Sequence, residues 1–262
     1  VEIKKVALVV NDGKPRAVEL ETDLTAYFDA RGVSVSADAD LVVSLGGDGT
    51  MLRAARLAYS LDAPLLGVNL GLLGYLSEVD PPKAREALDR IFAGDFEIEE
   101  RMMLRCNAQA GGKEETFVGL NEVLVERSGT HRLVRLGVKI GGESLAAFNA
   151  DGVIVATPTG STAYALSAGG PIVSPRAQCL ILVPVSAHMI FSRPFVLSAD
   201  ETVEIVVEGD QVAALSLDGA EGCSVASGSP ITIRRAVKPL RLVRIGGPGF
   251  VERLRVKLDL PV

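Results

Sequence analysis

Tryptophan is absent, aromatic residues make up only 5% of the chain, and there are three cysteines and two histidines. Each shortage excludes something. With so few rings, a stacking platform for nucleic-acid bases is not expected. Cys106, Cys179 and Cys223 are widely spaced, with no CxxC and no Cys/His cluster. Neither a disulfide framework nor a metal site is indicated, and a reducing compartment fits. Basic residues are outnumbered, 27 against 33 acidic, for a net charge of −6. That balance argues against a nucleic-acid or anionic-membrane surface. The longest apolar stretch, Cys179 to Phe191, contains Pro184 and His188 and is too short to span a bilayer. The first residues, VEIKKVALVVN, read as a short apolar strand with early charges rather than a signal peptide. The expectation is a soluble cytoplasmic protein with no nucleic-acid or membrane partner. Three motifs are also missing: GxxxxGK[ST], a GxGxxG at the first glycine loop, and GxSxG around Ser161.

What is present is a chain of 262 residues, 48% hydrophobic, enough for one large domain or two modest ones. The first part alternates strand and helix. Strands are expected at Ile3 to Val10, Leu41 to Leu45 and Pro64 to Asn69; helices at Pro15 to Ala30, Met51 to Tyr59 and Pro81 to Phe92. Gly32 and Gly94 stop two of those helices. This βαβα order predicts a parallel sheet with helices on its faces. After about Glu97 short β-rich runs take over, separated by Gly111-Gly112, Gly141-Gly142 and Asp218-Gly219. The runs are 102–108, 122–127, 136–140, 152–156, 179–185, 202–207, 213–217 and 231–236, and one short helix is expected at Thr162 to Ser167. Such spacing suggests an antiparallel sandwich or mixed β domain. The predicted fold is an α/β domain over 1–97 and a β-rich, sandwich-like domain over 98–242. The amphipathic tail, 243–262, packs back on the first domain.

Two dense regions carry the chemistry. In LVVSLGGDGT, a strand runs into Gly46, Gly47, Asp48, Gly49 and Thr50, and a helix follows at once. Glycine serves where backbone turns sharply or approaches a ligand closely. A strand-to-helix junction also offers N–H groups to phosphate. The loop reads as a phosphate cradle with one acid at its centre, or as a tight turn with Asp48 as helix N-cap. The second region is Ala147 to Val173. Asp151-Gly152 precedes an apolar strand, and the hydroxyl-rich Thr157, Thr159, Ser161 and Thr162 lead to a helix start. This is a phosphate or ribose site with Tyr164 flat against a purine, or an N-capped helix with Tyr164 in the core. Asn121-Glu122, a polar pair opening a strand, says little alone.

Taken together, GGDGT at 46–50, GVNLGLLGYL at 67–76, NE at 121–122 and DGVIVATPTGSTAYALSAGGPIV at 151–173 resemble the NAD kinase family in order and spacing. The likeness extends to Leu254, Arg255, Lys257 and Leu258 in the tail. It implies a Rossmann-like domain plus a β-sandwich and a divalent metal, usually Mg²⁺. It implies homodimers or homotetramers, and ATP or polyphosphate as phosphoryl donor. Asp48 would be the base on the adenosine ribose 2′-hydroxyl of NAD, with Gly46, Gly47 and Gly49 on the phosphate-donor side. Asn121 and Glu122 would contact the ribose and adenine region, and Asp151 the nicotinamide-ribose end. Thr159, Thr162 and Ala163 would hold adenine or ribose, and Tyr164 would pack on adenine. No protein ligand to metal is expected, the ion being held through donor phosphates. Arg53, Arg101, Arg105 and Arg193 are further candidates to neutralise phosphate, or else surface and structural residues.

The chain departs from the family in two places. Ala220 follows Asp218-Gly219 where many members have Gln, which weakens a ligand role for that loop. His188 is displaced from its proline and reads as structural, and His131 reads as solvated. Two rival readings stand. A lipid kinase shares GGDGT, but its NE usually follows within a few residues, whereas here it comes some seventy later. A non-enzymatic dinucleotide sensor would keep the fold without needing Asp48.

Overall fold

The computed structural model describes residues 3–71, 74–129, 133–187 and 192–261. The chain divides into two compact units, Val1–Arg101 with Leu240–Val262, and Met102–Pro239. In chain order the first unit carries β1 (Lys5–Val10), α1 (Pro15–Asp29), β2 (Ser34–Val35), β3 (Leu41–Gly46), α2 (Asp48–Leu61), β4 (Leu65–Asn69), α3 (Ala84–Phe92) and β5 (Glu97–Arg101). The second carries β6 (Leu104–Ala110), β7 (Lys113–Gly119), β8 (Glu122–Arg127), β9 (Val134–Ile140), β10 (Glu143–Ala150), β11 (Gly152–Ala156), α4 (Tyr164–Ser167), β12 (Cys179–Val185), β13 (Phe195–Ser198), β14 (Val203–Glu208), β15 (Val212–Leu217), β16 (Ala220–Ala226) and β17 (Pro230–Arg235). The chain then returns to the first unit with β18 (Leu240–Arg244) and α5 (Phe250–Lys257).

The sheet of the first unit runs β2-β1-β3-β4-β18-β5. Its pairs are parallel except β18 with β5. Every residue of β3 is buried, as befits a parallel strand covered on both faces. Leu24 and Phe28 of α1 and Leu88 and Ile91 of α3 share one apolar cluster with Leu41, Val43 and Leu45. Phe28 is fully buried and meets Tyr27 and Phe92 edge-on, with ring centroids 5.5 and 6.4 Å apart. On β4, a Cβ at Gly67 would fall 2.6 Å from the Met51 sulfur of α2 and 3.0 Å from the Ser77 Cα. Glycine there lets α2 and the 74–79 segment lie directly on the strand.

The second unit is a sandwich of two antiparallel sheets, β10-β9-β14-β17-β6-β7 and β13-β12-β11-β8-β15-β16. Their inner faces meet in a single cluster that includes Leu104, Leu136, Phe148, Val125, Val153 and Leu180. Gly111-Gly112, Gly141-Gly142 and Asp218-Gly219 all have positive φ and close two-residue hairpins. That is the primed-turn geometry whose twist suits the flanking strands.

Among the helices, two details differ from expectation. Pro81–Lys83 is a separate 3-10 turn before α3, and Gly160–Thr162 is another before the four-residue α4. A proline opens the first turn without extending the α-helical ladder, because it has no N–H to give. His131 and His188 lie outside the described residues. Phe28→Ala should leave a cavity costing about 3–5 kcal/mol. The expected result in urea unfolding is a lower midpoint, with the far-ultraviolet spectrum of the native state unchanged.

Candidate functional site

The glycine loop of the first unit joins β3 to α2 with only Gly47 between them. Gly47 takes the N-cap position, and Asp48 is the first residue of α2 rather than its cap. The N-terminal end of a helix dipole favours a carboxylate there. Tyr75 donates its backbone N–H to Asp48 Oδ2 at 3.3 Å. Asp48 Oδ1 is buried and has no hydrogen-bond partner. Gly74 makes this arrangement possible, since a Cβ would stand 2.3 Å from that same oxygen and 2.8 Å from Ser77 Oγ. Ser77 Oγ is likewise buried without a partner. A polar atom held in this state costs free energy unless a ligand or water satisfies it.

The three glycines of the loop serve different ends. A Cβ at Gly46 would overlap the Thr50 side chain at 2.2 Å, so that glycine is required by strand–helix packing. Gly47 and Gly49 face open space. They line a cleft with Asn11, Lys14 and Arg53. Lys14 Nζ donates to Leu70 O at 3.1 Å and Arg53 Nη2 to Val10 O at 2.7 Å, which pins both cations beside the loop. Thr50 N and Met51 N both donate to Gly47 O at 3.0 Å, so the helix ladder begins there and the amides before it are the ones a helix start leaves for an anion. Together these are anion donors. Of the other arginines, Arg101 is buried against Glu99 at 2.9 Å, Arg105 donates to Asn107 Oδ1 at 3.3 Å, and Arg193 is exposed. No group of three His, Cys, Asp or Glu among the described residues is placed to hold a metal ion.

In the second unit, Asn121 and Glu122 stand at the corner where β8 begins. The corner is held by Asp218, from the loop whose ligand role Ala220 weakens. Asp218 accepts the backbone N–H groups of Leu120 (2.8 Å), Asn121 (2.7 Å) and Glu122 (3.2 Å). Its signal in the sequence was only an Asp-Gly turn, and its partners lie about a hundred residues away. The hydroxyl-rich loop docks on the same corner. Thr157 Oγ1 donates to Leu120 O at 2.6 Å, and a Cβ at Gly160 would fall 2.1 Å from Asn121 O. Ser161 is consumed locally, donating to Pro158 O at 2.7 Å and accepting from Val173 N at 3.0 Å.

Glu122 is buried, and its Oε2 has no partner. Burial and the nearby Asp218 carboxylate push its carboxyl up to about 7, against an opposing hydrogen bond from the Tyr164 N–H. The Tyr164 side chain is 43% exposed, outside the core. Tyr164 and Asp151 line one open cleft, where Arg127 Nε holds Asp151 Oδ1 at 2.6 Å. Thr159 is buried, and Thr162 Oγ1 donates to its carbonyl at 3.3 Å. Ala163 is the half-buried joint between the 3-10 turn and α4.

A family profile described as ATP-NAD kinase N-terminal domain matches residues 29–96, and one described as ATP-NAD kinase C-terminal domain matches 120–245. The chain is 39% identical to the NAD kinase of Heliobacterium modesticaldum over 277 aligned positions, covering 97% of this chain and 98% of that protein. Among solved structures it resembles yeast NADH kinase complexed with NADH, at TM-score 0.87 and 24% identity, over 99% of this chain and 89% of that one. At that identity the likeness speaks for the fold. It also resembles an NAD kinase from Archaeoglobus fulgidus in complex with ATP, at TM-score 0.74 and 26% identity, over 97% and 96% of the two chains.

The raised carboxyl of Glu122 has a consequence for stability. The folded value of about 7 exceeds the ordinary 4.5, so the folded state binds the proton more tightly. Stability is therefore lost as pH rises through that window. Glu122→Gln should raise the ligand-free melting temperature at pH 8 by more than at pH 5. Equal changes at both would show that Glu122 ionises normally.

Proposed function

The chain belongs to the NAD kinase family, and on that premise we propose that Asp48 is the general base of its reaction. The reaction is the phosphorylation of NAD to NADP, with the adenosine ribose 2′-hydroxyl as acceptor. The observation that carries this reading is the buried, unpartnered Oδ1 of Asp48 at the end of a glycine loop. An alcohol is a poor nucleophile at neutral pH. A carboxylate within hydrogen-bond reach takes its proton as the oxygen–phosphorus bond forms and the bond to the leaving phosphate breaks. Positioning and charge stabilisation supply the remainder of the rate.

Roles for the other residues follow from their chemistry. Gly47 and Gly49 leave backbone open to the donor phosphates, with Lys14 and Arg53 as fixed positive charge, while Gly46 shapes the turn. Asn121 and Glu122 would hold the adenosine. The Glu122 Oε2 acceptor suits an amino group such as that of adenine. Thr159, Thr162, Ala163 and Tyr164 would flank the base and ribose, and Asp151 the nicotinamide-ribose end. ATP is the proposed donor, in keeping with the ATP-bound relative, and polyphosphate is the alternative. Mg²⁺ would enter on the donor phosphates and neutralise charge that Asp48 otherwise repels. Donors beside the loop are cations and amides, which suit phosphate rather than bare metal. No described helix is long and apolar enough to cross a membrane. A reducing cytoplasm would suit the three free cysteines, and a homodimer or homotetramer is the proposed assembly.

Asp48→Asn keeps the shape of the side chain and removes the base. Turnover of NAD with ATP and Mg²⁺ should fall by roughly 10²- to 10⁴-fold, while calorimetry still detects NAD binding. A variant with near-normal rate would remove Asp48 from the role of base.

A further inference from the structure

We infer that Arg253, in the C-terminal helix α5, is a positioning residue for Asp48. It would act by fixing the backbone from Gly74 to Ser77 against the carboxylate. The inference rests on the reading of Asp48 as the base.

Arg253 is 2% exposed, the largest fully buried side chain among the described residues. Its Nη1 donates to Gly74 O at 3.2 Å and also to Ser77 O. Its Nε donates to Pro248 O at 2.8 Å, and Nη2 to Glu78 Oε2 at 3.2 Å. One planar fork thus grips both ends of the four-residue segment that faces Asp48. Within that segment, Gly74 presents its Cα to Asp48 Oδ1, and Tyr75 donates its N–H to Oδ2. Lys257 of the same helix lies over the Tyr75 ring, 5.4 Å from its centroid. Glu78 fixes the guanidinium in turn, and also accepts from Ile245 N at 2.9 Å, Gly247 N at 2.7 Å and the Arg244 guanidinium Nη1.

Removing a guanidinium from such a place does more than weaken packing. Carbonyls of Gly74 and Ser77 lose their donor, and the segment is free to relax toward solvent. Small displacements near a reacting group change rate steeply, by about 10²-fold for 1 Å. A smaller folded fraction would also lower apparent kcat at unchanged KM, but by the same factor whether or not Asp48 is present, so kcat is referred to the folded fraction and compared between the two backgrounds.

The test is a double-mutant cycle on the full-length protein. Arg253→Lys keeps the charge but cannot serve three carbonyls and Glu78 from one ammonium. In the wild-type background it should lower kcat by about tenfold or more while KM for NAD changes by less than about twofold. Added to Asp48→Asn, it should change the residual rate by less than about twofold, because the group it positions is gone. An equal loss in both backgrounds, or an unchanged kcat in folded Arg253→Lys, overturns the inference and leaves Asp48 as base. A near-normal rate for Asp48→Asn alone overturns the base and the inference together. Should Arg253→Lys melt below the assay temperature, the whole cycle is run at a lower temperature at which circular dichroism shows every variant folded, with the same outcomes.

Discussion

A buried carboxylate holds the first unit together. Glu78 accepts hydrogen bonds from Ile245 N, Gly247 N, Arg244 and Arg253, and so binds the segment after β4 to the returning chain. The charges continue outward, Arg244 pairing with Glu99 at 2.9 Å and Glu99 with Arg101 at 2.9 Å. Desolvation lowers the basicity of both Arg101 and Arg253, a sign of how little water reaches them. A buried ion pair adds stability only when its geometry is good and its remaining donors and acceptors are satisfied. Here most are, and they are satisfied by backbone. The network therefore fixes where the chain goes more than how stable it is.

Each unit uses a similar device to hold an acid with an acceptor unpaired. In the first, close approach at Gly74 and the fork of Arg253 frame Asp48. In the second, Asp218 gathers three backbone amides and Gly160 lies against Asn121, framing Glu122. Both acids end with one buried oxygen unpartnered, two of only four such side-chain atoms found among the described residues. Local free energy is spent so that the acceptor is free when a ligand arrives, a cost that only a rigid surround can sustain.

What the sequence reading missed follows a pattern. The overlooked strands β2, β5, β7, β10, β13 and β16 are the edges of the three sheets. An edge strand is bonded on one side only and carries more charge, as in EIEER of β5 and KEETFVG of β7. Its apolar alternation is correspondingly faint. The exception is β18, a central strand of unit 1 whose partners β4 and β5 lie far back in the chain. LRLVR alternates weakly, and only pairing decides that it completes the first sheet rather than trailing from the second unit.

The sequence by itself determined the α/β-then-β order, the glycine turns between the β runs and the motifs that mark the family, because periodicity, glycine and local spacing are properties of neighbours in the chain. It also put Asp48 in a glycine loop and Glu122 at a strand start. Tertiary structure alone decided that Asp48 begins the helix instead of capping it, and that Gly46 is there for Thr50 while Gly47 and Gly49 stay open. It alone brought Asp218 under residues 120–122 and Arg253 under residues 74–77. Those contacts join positions about a hundred to nearly two hundred residues apart, and no local pattern encodes them. They exist because a buried charge must find its partners wherever the folded chain supplies them.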